Sequence, residues 1–432
     1  MLLYAGFLFS IFLDYVRPGS YLPAIEAARL NSVVPLTVLL FTIFHKSDVS
    51  HREFFNNRNS RWLLFFFFLL LISVFTSDVT HYSFNVLKTV LGFIFWYYII
   101  VRLVTTERRM RALFATLVLS HAILLALNPQ LVTNPEVRSY IQGNTFLGDG
   151  NDYSLSVTIV IPMCLYLIVR AKSVGLRIFW GAAMAALMLG VVGTQSRGAA
   201  IALAVLFLFL WWKGRRKALG LVLVGIVTAG IVSYAPDVYF DRLNTITNYQ
   251  QEGSAMGRIM AWKTAVRMAE EYPLLGVGSG HFAVKLGTEF RPPEYGLANL
   301  PWLTAHSMYF LLLGELGIPG ITFLLALLIG NYMSNNNAIR IRTEHTSELS
   351  TLFLMLNASL VAFAVGGAFL SVAYYPHLYV LTGIWTAAYL IHRRAQKGRT
   401  EASSLTTGED AEQRAERLVW SAGDPKNLPV NR

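Results

Sequence analysis

A chain of 432 residues that is 54% hydrophobic and only 14% charged falls well short of the roughly one-quarter charge of soluble domains, which excludes an ordinary water-soluble globular fold. The net charge of +11 invites a nucleic-acid reading, but the basic residues sit in short segments between apolar runs, where they act as a topology signal instead. The single cysteine, Cys164, lies in an apolar run, which excludes a disulfide framework and a cysteine-based metal site.

In chain order, apolar runs of about the ~20 residues needed to cross a bilayer predict helices near 2–16, 30–45, 61–77, 84–104, 108–127, 152–170, 175–194, 198–213, 216–234, 304–330, 349–371 and 374–391. The expected fold is all-α: a polytopic integral membrane protein of about twelve transmembrane helices. Residues Met1 to Val16 lack a basic n-region and a small-residue cleavage site before Arg17, so they read as the first span and not as a cleaved signal. Lys46, Arg52, Arg58 and Arg61, then Arg102 and Arg108, Lys172 and Arg177, Lys213 and Arg216, Arg340, and Arg393 to Arg399 fall on one side, while the short loops of the other side hold only Arg17, Arg29, Arg138 and Arg197. By the positive-inside rule both termini are cytoplasmic. The chain then divides into helices over 1–234, a long outer loop over 235–303 between the ninth and tenth spans, three further spans over 304–391, and a polar, disordered cytoplasmic tail over 392–432.

Within the outer loop, Met256 to Tyr272 reads as a helix stopping before Pro273 and the glycines Gly276, Gly278 and Gly280. At ~100° per residue, Arg258 shares a face with Trp262, Ala265, Ala269 and Tyr272, while Lys263, Arg267, Glu270 and Glu271 lie opposite. An arginine on an apolar face is either an end-of-helix residue reaching water or a group aimed at an anion. Arg197, in the turn Thr194-Gln195-Ser196-Arg197-Gly198, is an interfacial anchor or a phosphate ligand, since its guanidinium fork matches phosphate oxygens. Lys88, about one turn into the fourth span, either snorkels to the interface or joins the same anion site. His306 opens the tenth span, followed by Ser307 and, further on, by Leu313, Gly317 and Gly320 on its helical face; the glycines serve close helix packing or leave a groove for a lipid tail. Glu315 projects from the opposite side and is expected to pair within the bundle. There is no P-loop, dinucleotide fingerprint or His-Glu-x-x-His signature in the sequence.

These residues together resemble the O-antigen ligase family, whose signature is shared with O-antigen polymerases and bacterial protein O-oligosaccharyltransferases. His306-Ser307 followed by Gly317-Ile318-Pro319-Gly320 looks like the family's histidine motif. Pro273-Leu274-Leu275-Gly276-Val277-Gly278-Ser279-Gly280-His281-Phe282 looks like its loop motif, and Ser196-Arg197-Gly198 is similar to its Ser-Arg-Gly turn. The resemblance runs from about Asp149 to Gly330. It implies a metal-independent, cofactor-free glycosyltransferase of lipopolysaccharide biosynthesis in the bacterial inner membrane, with a periplasmic site. The donor would be a glycan on undecaprenyl pyrophosphate and the acceptor a hydroxyl of lipid A-core, attacked with inversion. His306 would be catalytic; Arg197 and Arg258, with Lys88 beside them, would bind pyrophosphate, and Arg242, Arg267 and Arg291 are alternatives to Arg258. A polymerase or protein O-oligosaccharyltransferase using the same donor shares these motifs. A transporter of a lipid-linked or anionic solute predicts ionisable groups near the midplane, and a structural scaffold gives Arg258 no purpose. Membrane lipids are expected partners and nucleic acid is not.

Overall fold

The computed structural model describes residues 1–134, 146–214, 253–290, 303–340 and 347–397, with isolated positions between them. Among these residues the chain is helical and contains no strand. The principal helices are α1 (Leu2–Val16), α2 (Leu30–Phe44), α3 (Arg58–Thr76), α4 (Thr80–Leu103), α5 (Glu107–Leu127), α6 (Gly150–Arg170), α7 (Val174–Gly193), α8 (Arg197–Lys213), α9 (Gly253–Glu271), α10 (Met308–Arg340), α11 (Ser347–Gly366) and α12 (376–397). Most of the predicted ninth span, 216–234, residues 241–252 and 291–302 of the loop, and the tail after 397 lie outside the described residues.

Seven described helices are long and apolar enough to cross a membrane: α3 to α7, α10 and the segment Leu349–Phe369 that includes most of α11. Helices α1 and α2 are apolar but have 15 residues each, which at 1.5 Å per residue reach about 22 Å. Both end on arginines with left-handed backbone, Arg17 after α1 and Arg29 before α2. Side-chain caps set several starts. Asn57 Oδ1 accepts from the Asn59 amide and begins α3 at Arg58, before the apolar run; Thr106, Ser173 and Ser196 cap α5, α7 and α8 in the same way.

Helix α6 is the centre of the bundle: 78% of its apolar window is buried, against 22% for α7, which faces outward. It packs against α5, α7, α8 and α11. A second group, α3 with α4 and α10, completes the core, where Phe66 stacks on Phe323 with ring centroids 3.9 Å apart. Several buried polar groups are bonded to one another, which offsets the loss of water: Asn59 Nδ2 donates to Asn331 Oδ1 and Thr386 Oγ1, His121 Nε2 is 2.6 Å from Ser156 Oγ, and Asn335 donates to Asn357.

Candidate active site

The candidate site comprises the chain segments that meet around the start of α10. The first is the break in α10. Gly317 has φ 64° and ψ −155°, a conformation essentially confined to glycine; it interrupts the helix just before Pro319. The break turns the Gly314 and Glu315 carbonyls toward the loop motif, where they accept from the Val277 and Gly278 amides at 3.0 Å each, while the Ile318 amide donates to Pro273 O at 2.8 Å. A side chain at Gly317 would place its Cβ 2.4 Å from Pro273 O, and both Gly317 and Gly320 are buried. Gly317 is packed against the loop, whereas the nearest neighbours of Gly320 are Leu316 and Leu312 of its own helix. An unbroken helix would stack the two glycines beneath His306; the break at Gly317 and the turn at His306 remove that relation.

Glu315 does pair within the bundle. Its carboxylate accepts from the Phe282 amide at 3.0 Å and from Tyr374 Oη at 2.8 Å, so one buried acid joins the loop motif, α10 and the segment before α12. His281 is structural as well. Its Nε2 accepts from the Val79 amide at 3.2 Å, leaving Nδ1–H to donate to Ser279 O at 3.1 Å. Beside it, Lys285 bridges Asp78 and Glu289, at 2.5 Å to each. Burial pushes the Lys285 ammonium down, but the bonds to these two carboxylates outweigh it and hold the group above its ordinary value. The same bond holds the Asp78 carboxyl below the usual range.

His306 lies in the turn just before α10, with φ 46°, a left-handed conformation that non-glycine residues adopt seldom and chiefly where the surroundings enforce it. The enforcing contacts are on either side. Trp262 on α9 donates from Nε1 to Ala305 O at 2.9 Å and stacks on Phe310, and Thr304 Oγ1 is 2.9 Å from Ser371 Oγ. Ser307 is buried, and its carbonyl starts the α10 ladder. The His306 ring itself is half-buried and makes no hydrogen bond among the described residues. Burial pushes its imidazole below the ordinary 6.5; Arg258 pushes the same way, and Asp149 opposes both. Three charged or ionisable groups from three segments therefore share one electrostatic neighbourhood.

Arg258 reaches that neighbourhood from the edge of α9's buried face. The face turned to α10 consists of Met260, Ala261, Thr264, Ala265 and Met268, centred roughly 80° around the helix from Arg258. Tyr272, grouped with it by hydrophobicity, is exposed. Small side chains that admit close packing decide which side of α9 is covered, and a hydrophobicity reckoning underweights them. Arg197 opens α8 next to a second left-handed residue, Gln195 at φ 53°. The adjoining Gly198 rests against the Phe369 side chain, and Gly367, two residues earlier, against Met308 Sδ. The 367–371 connection thus lies between the Arg197 turn and the His306 turn.

Lys88 is different. It is exposed on α4, about 140° around the helix from Ser83, which donates to Ser279 O at 2.8 Å. Among the described residues it makes no hydrogen bond or ion pair, and no contact brings it to His306. Arg267 is exposed and donates to Phe290 O at 3.4 Å; Arg242 and Arg291 lie outside the described residues. The acids were missed by sequence reasoning. Asp149 caps α6, accepting from the Asn151 amide at 2.7 Å, and Asp152 in the next turn accepts from Tyr375 Oη at 3.5 Å. The signal was present in Gly148-Asp149-Gly150-Asn151-Asp152, where two carboxylates mark the same end of a span as Arg197.

Residues 182–325 match the family model described as O-antigen ligase. Over that segment, about a third of the chain, the sequence is similar to the O-antigen ligase family. The match takes in Arg197, α9, the loop motif, His306 and the break at Gly317, and the family is one of glycosyltransferase-like enzymes, ligases and polymerases. No curated protein matches the chain.

Proposed function

We propose that this chain is a member of the O-antigen ligase family and transfers a glycan from undecaprenyl pyrophosphate to a hydroxyl of lipid A-core on the periplasmic side of the bacterial inner membrane. The reading is supported above all by one arrangement: an imidazole with no hydrogen bond among the described residues, held in a left-handed turn, with Arg258 and Asp149 both acting on its charge. In this reading His306 is the general base. It takes the proton of the acceptor hydroxyl as that oxygen bonds to the anomeric carbon, and the bond from that carbon to the pyrophosphate oxygen breaks on the opposite face, inverting the configuration. Pyrophosphate departs with the electron pair, and Arg197 and Arg258 neutralise it, so a general acid is not needed. A base whose proton affinity lies somewhat below neutral stays unprotonated at working pH, which is the state the step requires. Lys88, exposed on α4, contributes only a long-range charge.

The deciding experiment is a deletion strain examined by lipopolysaccharide gel and complemented with the wild-type gene and with His306→Ala. Loss of long-chain material on core, with lipid-linked polymer intact and no rescue by His306→Ala, supports the ligase. Accumulation of single-repeat product assigns a polymerase, and unchanged lipopolysaccharide with lost glycoprotein assigns the protein-modifying relative.

A further inference from the structure

At the end of the bundle remote from His306, a cavity of about 730 Å³ opens between α3, α10, α12 and the short helix His51–Asn56. Among its lining residues Arg52, Arg58, Arg393, Arg394 and Lys397 are cationic and Glu53 is the one acid. Exposed arginines alone would be a solvated, topology-setting surface. This cavity is built differently. Asn59 and Trp385 line it at 4% and 1% exposure, and Asn59 Oδ1, Trp385 Nε1 and a buried guanidinium nitrogen of Arg394, Nη1, have no hydrogen-bond partner among the described residues. Buried polar atoms are ordinarily bonded, and two unmatched donors beside an excess of positive charge call for an anionic acceptor. The cations are also positioned in advance. Arg58 lies against α10 at Gly330, where a Cβ would stand 2.8 Å from its guanidinium carbon, and its Nη2 donates to Asn331 Oδ1 at 3.4 Å, the same oxygen that receives Asn59 Nδ2. Arg394 is oriented by Glu53, 3.3 Å away.

We propose that this cavity binds a phosphate group, with the Arg394 guanidinium and the Trp385 indole N–H as donors and Arg58 as the flanking charge. Its volume is within the ~300–1,000 Å³ of organic-ligand sites and exceeds what one inorganic phosphate fills. The elements around it carry large apolar side chains that are more than half exposed, Phe55, Ile329 and Met333, as expected where helices meet lipid. A basic pocket between helix ends suits an anionic phospholipid headgroup. The site is separate from the transfer chemistry proposed for His306 and does not depend on it.

The test uses full-length protein in detergent, with binding of phosphatidylglycerol, phosphatidylcholine and inorganic phosphate each measured by native mass spectrometry and titration. Phosphatidylglycerol should be retained in preference to phosphatidylcholine. Arg394→Gln should weaken retention about tenfold or more, as loss of a charge-assisted bond does, and Trp385→Phe, which removes only the N–H, several-fold. Glu53→Gln should strengthen it. Arg108→Gln, which removes an exposed charge at the same end but outside the cavity, should leave it unchanged. Binding of inorganic phosphate alone, lost in Arg394→Gln, supports the same site with a free anion as its source. Equal weakening by Arg108→Gln and Arg394→Gln, weaker binding in Glu53→Gln, or no phosphate-bearing ligand bound by wild type overturns the proposal.

Discussion

At the His306 end, Arg258 and Asp149 act on one imidazole with opposite sign, and Lys285 is held between Asp78 and Glu289. At the other end, the described residues lining a cavity include five cations and one acid, Glu53. Balanced charge leaves little net field but fixes the proton affinity of a particular group, which is what a catalytic residue needs. Unbalanced charge does the reverse. It tunes nothing locally, yet it draws an anion and helps orient the chain in the membrane. The two ends also differ in backbone. The left-handed non-glycine residues Gln195 and His306 adjoin the family motifs, whereas the far end is built from regular helix termini and asparagine pairs.

The comparison predicts that single changes at the His306 end are severe and specific. The largest effect belongs to His306→Ala, which should slow transfer by ~10²–10⁴-fold, the usual contribution of a positioned base, while purified protein keeps its lipid-linked donor. Donor binding that falls as far as the transfer rate would make His306 a binding residue.

Arg197→Ala and Arg258→Ala come next, each expected to cost ~10²-fold or somewhat more in transfer, in the range found when a charge-stabilising donor is removed. Lysine at either position keeps the charge and loses the fork, so it should retain partial activity. Wild-type rates in both alanine variants, normally expressed, would remove pyrophosphate neutralisation from these arginines.

The pH dependence tests the balance itself. Because the His306 imidazole is pushed below 6.5, transfer should fall as pH drops through that lowered value and be flat above it. In Arg258→Gln a cation that disfavours the imidazolium is gone, so the acid limb moves to higher pH; burial, the larger cause, remains, and the limb stays below 6.5. Asp149→Asn should move the limb the other way. Shifts of the same sign in the two variants, read from the pH profile of residual activity, would break the picture of opposed charges on one ring.

The smallest effect is expected at Lys88. As an exposed residue without a described partner, Lys88→Ala should change the rate less than a few-fold in reconstituted transfer. A loss comparable to that of Arg197→Ala would place Lys88 in the anion site and widen it toward α4.

The helices were legible because apolar runs in so uncharged a chain can do little else. Arg197 and His306 stood out for the same reason: a polar residue at the end of an apolar run is conspicuous. Asp149 was hidden by its own local role, since an aspartate before a span reads as a cap. The edge position of Arg258 was hidden because Ala261, Thr264 and Ala265, which decide the packing of α9, carry little hydrophobic weight. The break at Gly317 has a sequence signal in Gly317-Ile318-Pro319-Gly320, but the partner that receives the freed carbonyls lies some forty residues away, and local pattern cannot supply it.

The clasp at Gly317 joins the loop motif to α10 through three main-chain bonds, the Val277 and Gly278 amides to the Gly314 and Glu315 carbonyls and the Ile318 amide to Pro273 O, beside the side-chain bond of Glu315 to the Phe282 amide. The three main-chain bonds make no demand on side-chain identity except at Gly276 and Gly317, where a Cβ would meet backbone at 2.3 and 2.4 Å. The joint therefore ties the spacing of the loop and α10 to backbone geometry, and with it the placement of Trp262 on α9 against Ala305, next to His306.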